Sequence, residues 1–267
     1  MSAIGRLLWV VLAAATALFL IAPLLVVVPL SFSSDSFLEF PPPGLSLRWY
    51  EALWQSPFWR QAGLNTLIIG AAATAIASVL GTLAAIGLWL APLPGRRAIF
   101  ALILSPMIVP VIITAVALTF AFAPLGLAAS HWGLILAHAA LGAPFVVVTV
   151  LATLSGFDRT LLRAAAACGA GPVTAFRRVM LPLILPGVVS GAVFAFATSL
   201  DETVVVLFLG GPEQRTLPRQ MFAGLKDTIE LTILAAATVL IAASTVLLVA
   251  ARLLAARSAR LAGGAAR

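Results

Sequence analysis

The stretch "SGFDRTLLRAAAACGAGPVTAFRRVMLPLIL", Ser155–Leu185, lies between two long apolar runs and follows a different pattern from either. Asp158 is placed to cap a helix, which Leu161, Leu162 and the alanine run propagate. "GAGP" at Gly169–Pro172 breaks it, because glycine is a poor helix former and proline cannot continue the ladder. Pro172 suits the first turn of a second short helix, Val173–Met180. On that helix Val173, Phe176 and Met180 share one side, Arg177 and Arg178 project elsewhere, and Pro182 and Pro186 are expected to stop it. An apolar stripe on such a helix fits either a partner's groove or the face of a membrane, and the residues alone leave both open.

Outward from this segment the chain is apolar. Of 267 residues 62% are hydrophobic and only 9% charged, against about 25% charged in soluble domains. So little polar surface cannot cover a water-soluble globule, and the chain reads as an integral membrane protein. Crossing the hydrocarbon takes about 20 apolar residues as a helix. Six runs qualify: Leu7–Leu30, Leu64–Leu90, Ala98–Phe122, Trp132–Leu154, Pro186–Leu209 and Leu231–Leu253. They are continuous rather than alternating, which predicts helices, not barrel strands. The first run is too long for the apolar core of a signal peptide and reads as an uncleaved helix. The expected fold is an all-α membrane protein of six transmembrane helices, with residues 1–267 forming a single transmembrane domain.

Lysine and arginine set the orientation. With the N-terminus inside, eleven basic residues fall in inner segments, among them Arg96, Arg97, Arg159, Arg163, Arg177, Arg178 and the C-terminal group. Five (Arg48, Arg60, Arg215, Arg219 and Lys226) fall outside, so both termini are expected in the cytoplasm. The net charge of +7 is spread between apolar runs without a basic face, so no nucleic acid partner is expected. Cys168 is the single cysteine and allows no internal disulfide. In the outer segment after "PPPG", Trp49, Leu53, Trp54, Phe58 and Trp59 recur at mostly helical spacing, as in an amphipathic helix anchored at the interface.

Within "FAFATSLDETVVVLFLGG", Phe194–Gly211, stand Asp201 and Glu202. A carboxylate at the centre of a bilayer costs roughly 2.5–3.5 kcal/mol or more. At 1.5 Å per residue from Pro186, Asp201 lies about 22 Å along the helix, past the midplane. Neighbouring residues point about 100° apart, so the two acids face differently on a regular helix. One carboxylate lining a substrate path, a structural pair with Ser199 or Asp201 capping a helix break, and a proton relay all remain open.

Several chemistries are excluded. The only lysine sits in "GLKDT", so no phosphate-binding Gly-Lys-Ser/Thr loop exists and the chain is not its own ATPase. His131 and His138 lie seven residues apart without nearby carboxylates, and no metal site is expected. No nucleophile elbow or Cys/His pairing points to an enzyme.

The Ser155–Leu185 segment resembles the EAA loop of ABC importer permeases, a Glu-Ala-Ala pattern followed by Gly, an apolar helix and "LP…P". It is carried here by Ala164, Ala165, Gly169, Phe176, Val179, Leu181, Pro182, Pro186 and Gly187. "SLDETVVVLFLGG", "RTLP" (Arg215–Pro218), "LRWYEAL" (Leu47–Leu53) and "NTL" (Asn65–Leu67) resemble the spermidine/putrescine-type permeases. The resemblance implies a MetI-like permease of a bacterial inner membrane that imports a polyamine or related small molecule. It further implies a cytoplasmic ATPase dimer that binds the ATP, a second permease (similar or identical) and an outer solute-binding protein. No cofactor is expected in this chain. Residues 155–185 would form the cytoplasmic coupling loop, with Ala164, Ala165, Gly169, Phe176, Arg177, Arg178 and Pro182 facing the ATPase and Phe176 as the apolar knob. Asp201, Glu202 and Ser199 would line the substrate pathway. The family's Glu is replaced by Arg163, and an acidic position of the third helix by Val111. A proton-coupled carrier using Asp201 and Glu202, and a non-transport membrane scaffold, are the competing classes.

Overall fold

The computed structural model describes residues 3–92, 94–227 and 231–264, with side chains over 5–92, 94–224 and 231–250. Helices dominate, and the described residues hold no strand beyond an isolated antiparallel bridge between Ser33 and Leu45. The chain forms two compact units, Met1–Arg60 with Gln220–Ala242 and Gln61–Arg219 with Ala243–Arg267.

The first unit contains α1 (Ala3–Leu30) and α2 (Arg48–Gln55). Over its apolar membrane window α1 buries no residue within the protein, as expected of a helix solvated by lipid, and only Leu30 at its end is buried. Between the two helices the chain folds back on itself. Ser31 Oγ meets Tyr50 Oη at 2.7 Å, Trp49 Nε1 donates to the Ser33 carbonyl at 2.9 Å, and Phe32 and Tyr50 rings lie 5.0 Å apart. Tyrosine and tryptophan thus find partners for their polar ends while their rings are half-buried.

α3 (Pro57–Leu90) opens on proline, where the missing N–H costs nothing, and has no proline afterwards. It therefore runs unbroken. The third apolar run does not. The expected single helix over 98–122 divides into α4 (Arg96–Ile108) and α5 (Val111–Phe122), bent by 107°. Pro110 supplies no donor and pushes Val109 into extended backbone, φ −70° and ψ 133°. α6 (His131–Leu154) starts at Ser130, whose hydroxyl accepts from the Gly133 N–H at 3.0 Å.

α7 (Thr160–Ala167), α8 (Pro172–Ala175) and α9 (Leu181–Asp201) follow, then α10 (Val204–Leu209), α11 (Leu217–Asp227) and α12 (Thr232–Gly264). Two expectations are corrected here. Neither Pro182 nor Pro186 stops the helix that begins at Pro172, and Pro186 lies inside α9. A wider turn over Phe176–Met180, in which the Leu181 N–H reaches the Phe176 carbonyl, carries the chain past Pro182 into α9. The looser turn relieves the clash a proline makes with the preceding turn. The expected continuous helix over 186–209 is interrupted at Glu202–Thr203, where Glu202 is extended (ψ 109°). Among the described residues, five helices are long and apolar enough to cross a membrane, six if the bent α4–α5 pair counts as one span.

α6 is the centre of the second unit. Gly187, Gly191, Ala195 and Ser199, four residues apart, share one side of α9 and press against it. A Cβ on Gly191 would lie 2.6 Å from Val146 Cα, and one on Gly142 2.9 Å from the Ala195 Cβ. On α3 a Cβ at Gly81 would lie 2.8 Å from Val146 Cβ. Small residues let backbones approach where lipid offers no hydrophobic drive, and dispersion does the holding. Val146, Val147, Val150, Leu154 and Ile184 are fully buried in this contact.

Candidate functional site

The coupling segment is built by local hydrogen bonds. Asp158 Oδ1 accepts the Thr160 N–H at 2.8 Å, and the Thr160 hydroxyl donates to Oδ2. These bonds, with the charge of Arg163 adding in the same sense, hold the Asp158 carboxyl below its usual range. α7 ends in a double closure. The Ala170 N–H bonds the Ala165 carbonyl (3.0 Å) and the Gly169 N–H bonds the Ala166 carbonyl (2.9 Å). That pattern needs a left-handed residue in the middle, and Gly169 adopts φ +81°. Gly171 is extended, and Pro172 starts α8.

The structure places Ala164, Arg177, Arg178 and Pro182 at the surface and Ala165 half-buried. Phe176 points inwards: it is half-buried and packs on the core, with Ala175 and Met180 buried beside it. It also lines an apolar groove of about 490 Å³ together with Leu83, Leu90, Leu162 and Ala166. The side projecting from α8 is Val173, 69% exposed, with Arg177 and Arg178. Cys168 is exposed at the end of α7.

At the end of α9 the three sequence-derived residues separate. Ser199 is buried between helices, its hydroxyl 2.7 Å from His138 Nδ1. Glu202 Oε1 accepts the Val205 N–H at 2.9 Å and so caps α10. The cap on this break is thus Glu202, not Ser199 or Asp201. Asp201 is exposed as the last residue of α9, and among the described residues no hydrogen bond reaches its carboxylate.

Three features escaped the sequence reading. His138 is buried and bonded to Ser199 through Nδ1, and among the described residues its Nε2 has no partner. Arg159 donates from Nη2 to the Trp89 carbonyl and lies 4.3 Å over the Trp89 ring. Asn65, within the "NTL" match, is fully buried and donates to the Glu213 (2.7 Å) and Arg215 (2.9 Å) carbonyls. A lone amide inside an apolar run was the available signal for Asn65; its partners lie 148 and 150 residues away. Among the described residues no cluster of three metal-ligating side chains forms.

Apolar spans packed through small residues, with a structured polar segment between two of them, define a multi-pass membrane protein. Residues 77–260 match the family described as "Binding-protein-dependent transport system inner membrane component". The chain is 35% identical over 223 residues to the spermidine/putrescine transport system permease protein PotC of Haemophilus influenzae, covering 83% of this chain and 86% of that one. It is also 35% identical over 216 residues to the molybdenum transport system permease protein ModB of Mycobacterium bovis, covering 71% and 80%. Its fold resembles that in the crystal structure of a bacterial alginate ABC transporter in complex with an alginate pentasaccharide-bound periplasmic protein. The TM-score is 0.73 at 18% identity, over 94% of each chain. The chain belongs to the binding-protein-dependent transport family and is an ABC importer permease of the cell membrane, not itself an enzyme.

Proposed function

We propose that this permease imports a small organic cation of the polyamine class, delivered by an outer solute-binding protein and driven by a cytoplasmic ATPase dimer. The observation that carries the substrate reading is Asp201, an exposed carboxylate at the end of a membrane span with no bonding partner among the described residues. A cation meets that charge favourably, whereas a molybdate-like oxyanion is repelled by it. The identity to PotC over most of the chain supports the same class. Ser199 and Glu202 act behind this position, one packing α9 on α6 and the other holding the break that ends α9. Glu202 is engaged as a helix cap, which disfavours a proton relay with Asp201.

Residues 155–185 form the coupling loop on the cytoplasmic side, with both termini on that side as the basic residues indicate. Val173, Arg177 and Arg178 make the contact with the ATPase, which binds the ATP. Phe176 supports that surface from within, and Ala164, Ala165, Gly169 and Pro182 shape it. A second permease, similar or identical, completes the pathway. The test is uptake into proteoliposomes holding the complete transporter and its binding protein, with labelled spermidine and molybdate compared. Spermidine uptake that falls at least tenfold in Asp201→Asn supports the reading. Transport of molybdate, or unchanged spermidine uptake in that variant, contradicts it.

A further inference from the structure

On the importer reading, a change at the Ser155–Leu185 segment has to reach the far ends of the spans. We infer that α3 is the strut that carries it, with Arg159 and Asn65 as its two positioning residues. α3 from Asn65 to Trp89 is unbroken helix, about 36 Å at 1.5 Å per residue. The Trp89 carbonyl is among the last four of the helix, which have no partner within it. Arg159 supplies that partner and covers the Trp89 ring, while Phe157 meets the ring edge-on at 5.5 Å. Phe157 and Arg159 flank Asp158, the cap of α7. The end of α3 is therefore fastened to the start of the coupling segment.

The opposite end holds the turn between α10 and α11. Asn65 donates both amide hydrogens to carbonyls of that turn, and its Oδ1 accepts from Gln61 Nε2 at 3.1 Å. The next residue, Thr66, accepts the Leu217 N–H through its hydroxyl at 2.8 Å. Arg219 adds bonds to the Gly210 and Gly211 carbonyls. Two consecutive side chains of α3 thus fix the position of the turn. Midway, the Gly81 contact seats α3 against α6.

Helix α3 differs from the spans that can hinge. α4–α5 opens at Pro110, and α9–α10 at Glu202–Thr203, each with non-helical backbone that can absorb a displacement. An unbroken helix transmits a shift or rotation instead, because changing its length breaks its hydrogen bonds. Movement of the coupling segment therefore appears at the Gly210–Leu217 turn, on the face where the binding protein delivers its load.

Two experiments separate this inference from the importer reading on which it rests. The first is hydrogen exchange on the permease alone, comparing Arg159→Gln with the parent. The strut predicts at least fivefold faster exchange of the Leu217 amide, far from the substitution, with the Val146–Val150 amides of α6 unchanged. Unchanged exchange at Leu217, or equal acceleration in α6, overturns the strut whatever the protein transports. The second uses the complete transporter with its binding protein and a cycle of the conservative variants Thr66→Val and Arg159→Lys. Each is expected to lower binding-protein stimulation of ATP hydrolysis severalfold, leave basal hydrolysis within twofold, and add nothing to the other. Independent, multiplying effects overturn the strut, whereas loss of ATP dependence in the parent transporter overturns the importer reading alone.

Discussion

Replacing Gly191 by alanine tests the packing on which the second unit depends. The new Cβ would stand 2.6 Å from Val146 Cα and 2.5 Å from Thr149 Oγ1. Attractive contact is reached at about 3.5–4.0 Å, so α9 has to withdraw from α6 by about 1 Å. Neither neighbour yields easily: Val146 meets the site through its backbone and is itself fully buried. Thr149 is bonded to the Phe145 and Val146 carbonyls. Overpacking of this kind costs about 1–3 kcal/mol. At about 2–4 °C per kcal/mol, the scaling for soluble domains of this size, the midpoint falls by about 2–12 °C. The assay is thermal unfolding of the purified protein in detergent, followed by size-exclusion chromatography with fluorescence detection. Gly87→Ala is the control, because a Cβ there meets nothing within 4 Å. Alanine is the better helix former by about 1 kcal/mol, so this variant melts with the parent or above it. Gly191→Ala melting with the parent, or Gly87→Ala melting as low as Gly191→Ala, refutes the reasoning.

Gly169→Ala places a Cβ at φ +81°, which costs about 1–2 kcal/mol; a pull-down of the ATPase is expected to recover less of this variant, although Gly169 has no neighbour for the methyl group to strike. Asp158 predicts a pH response of definite sign. Its folded pKa lies below the unfolded one, so its stabilisation is fully present above the unfolded value and is lost as the pH falls through the folded value. Protection of the α7 amides, read by hydrogen exchange, is therefore flat from pH 7 to 5 and declines only in stronger acid, while Asp158→Ala is less protected throughout. Glu202→Gln keeps an acceptor for the Val205 N–H and retains the stability of the parent, whereas Glu202→Ala loses a helix cap worth about 0.5–2 kcal/mol; equal melting of the two variants rules out the cap.

The helices were legible where the chain is uniformly apolar. The expected runs at 7–30, 64–90 and 132–154 fall inside α1, α3 and α6, because lipid requires a continuous apolar stretch whose backbone bonds itself. The breaks were not legible by that criterion. Val109–Pro110 interrupts the hydrogen-bond ladder without interrupting the hydropathy, Glu202–Thr203 interrupts it beside two acids whose flanks stay apolar, and the continuation past Pro182 rests on a widened turn that composition does not show. In the coupling segment, Asp158, Gly169 and Pro172 show their roles locally, since caps and closures bond within a few residues. The inward turn of Phe176 depends on the groove beneath it, which includes Leu83 and Leu90 of α3. The His138–Ser199 bond joins residues 61 apart, and a sequence with one buried polar group in each of two helices does not show which will meet. Asp201 and Glu202 are adjacent in sequence, yet the break between α9 and α10 gives them different work.

The central claim is that this chain is the membrane part of an ATP-driven importer whose energy enters from a partner. Uptake of labelled spermidine by proteoliposomes containing the permease, its ATPase, any second permease and the binding protein tests it most directly. Uptake is predicted to continue when an ionophore dissipates the proton gradient and to stop when internal ATP is replaced by a non-hydrolysable analogue. Uptake that collapses with the gradient and persists without hydrolysis would contradict the account.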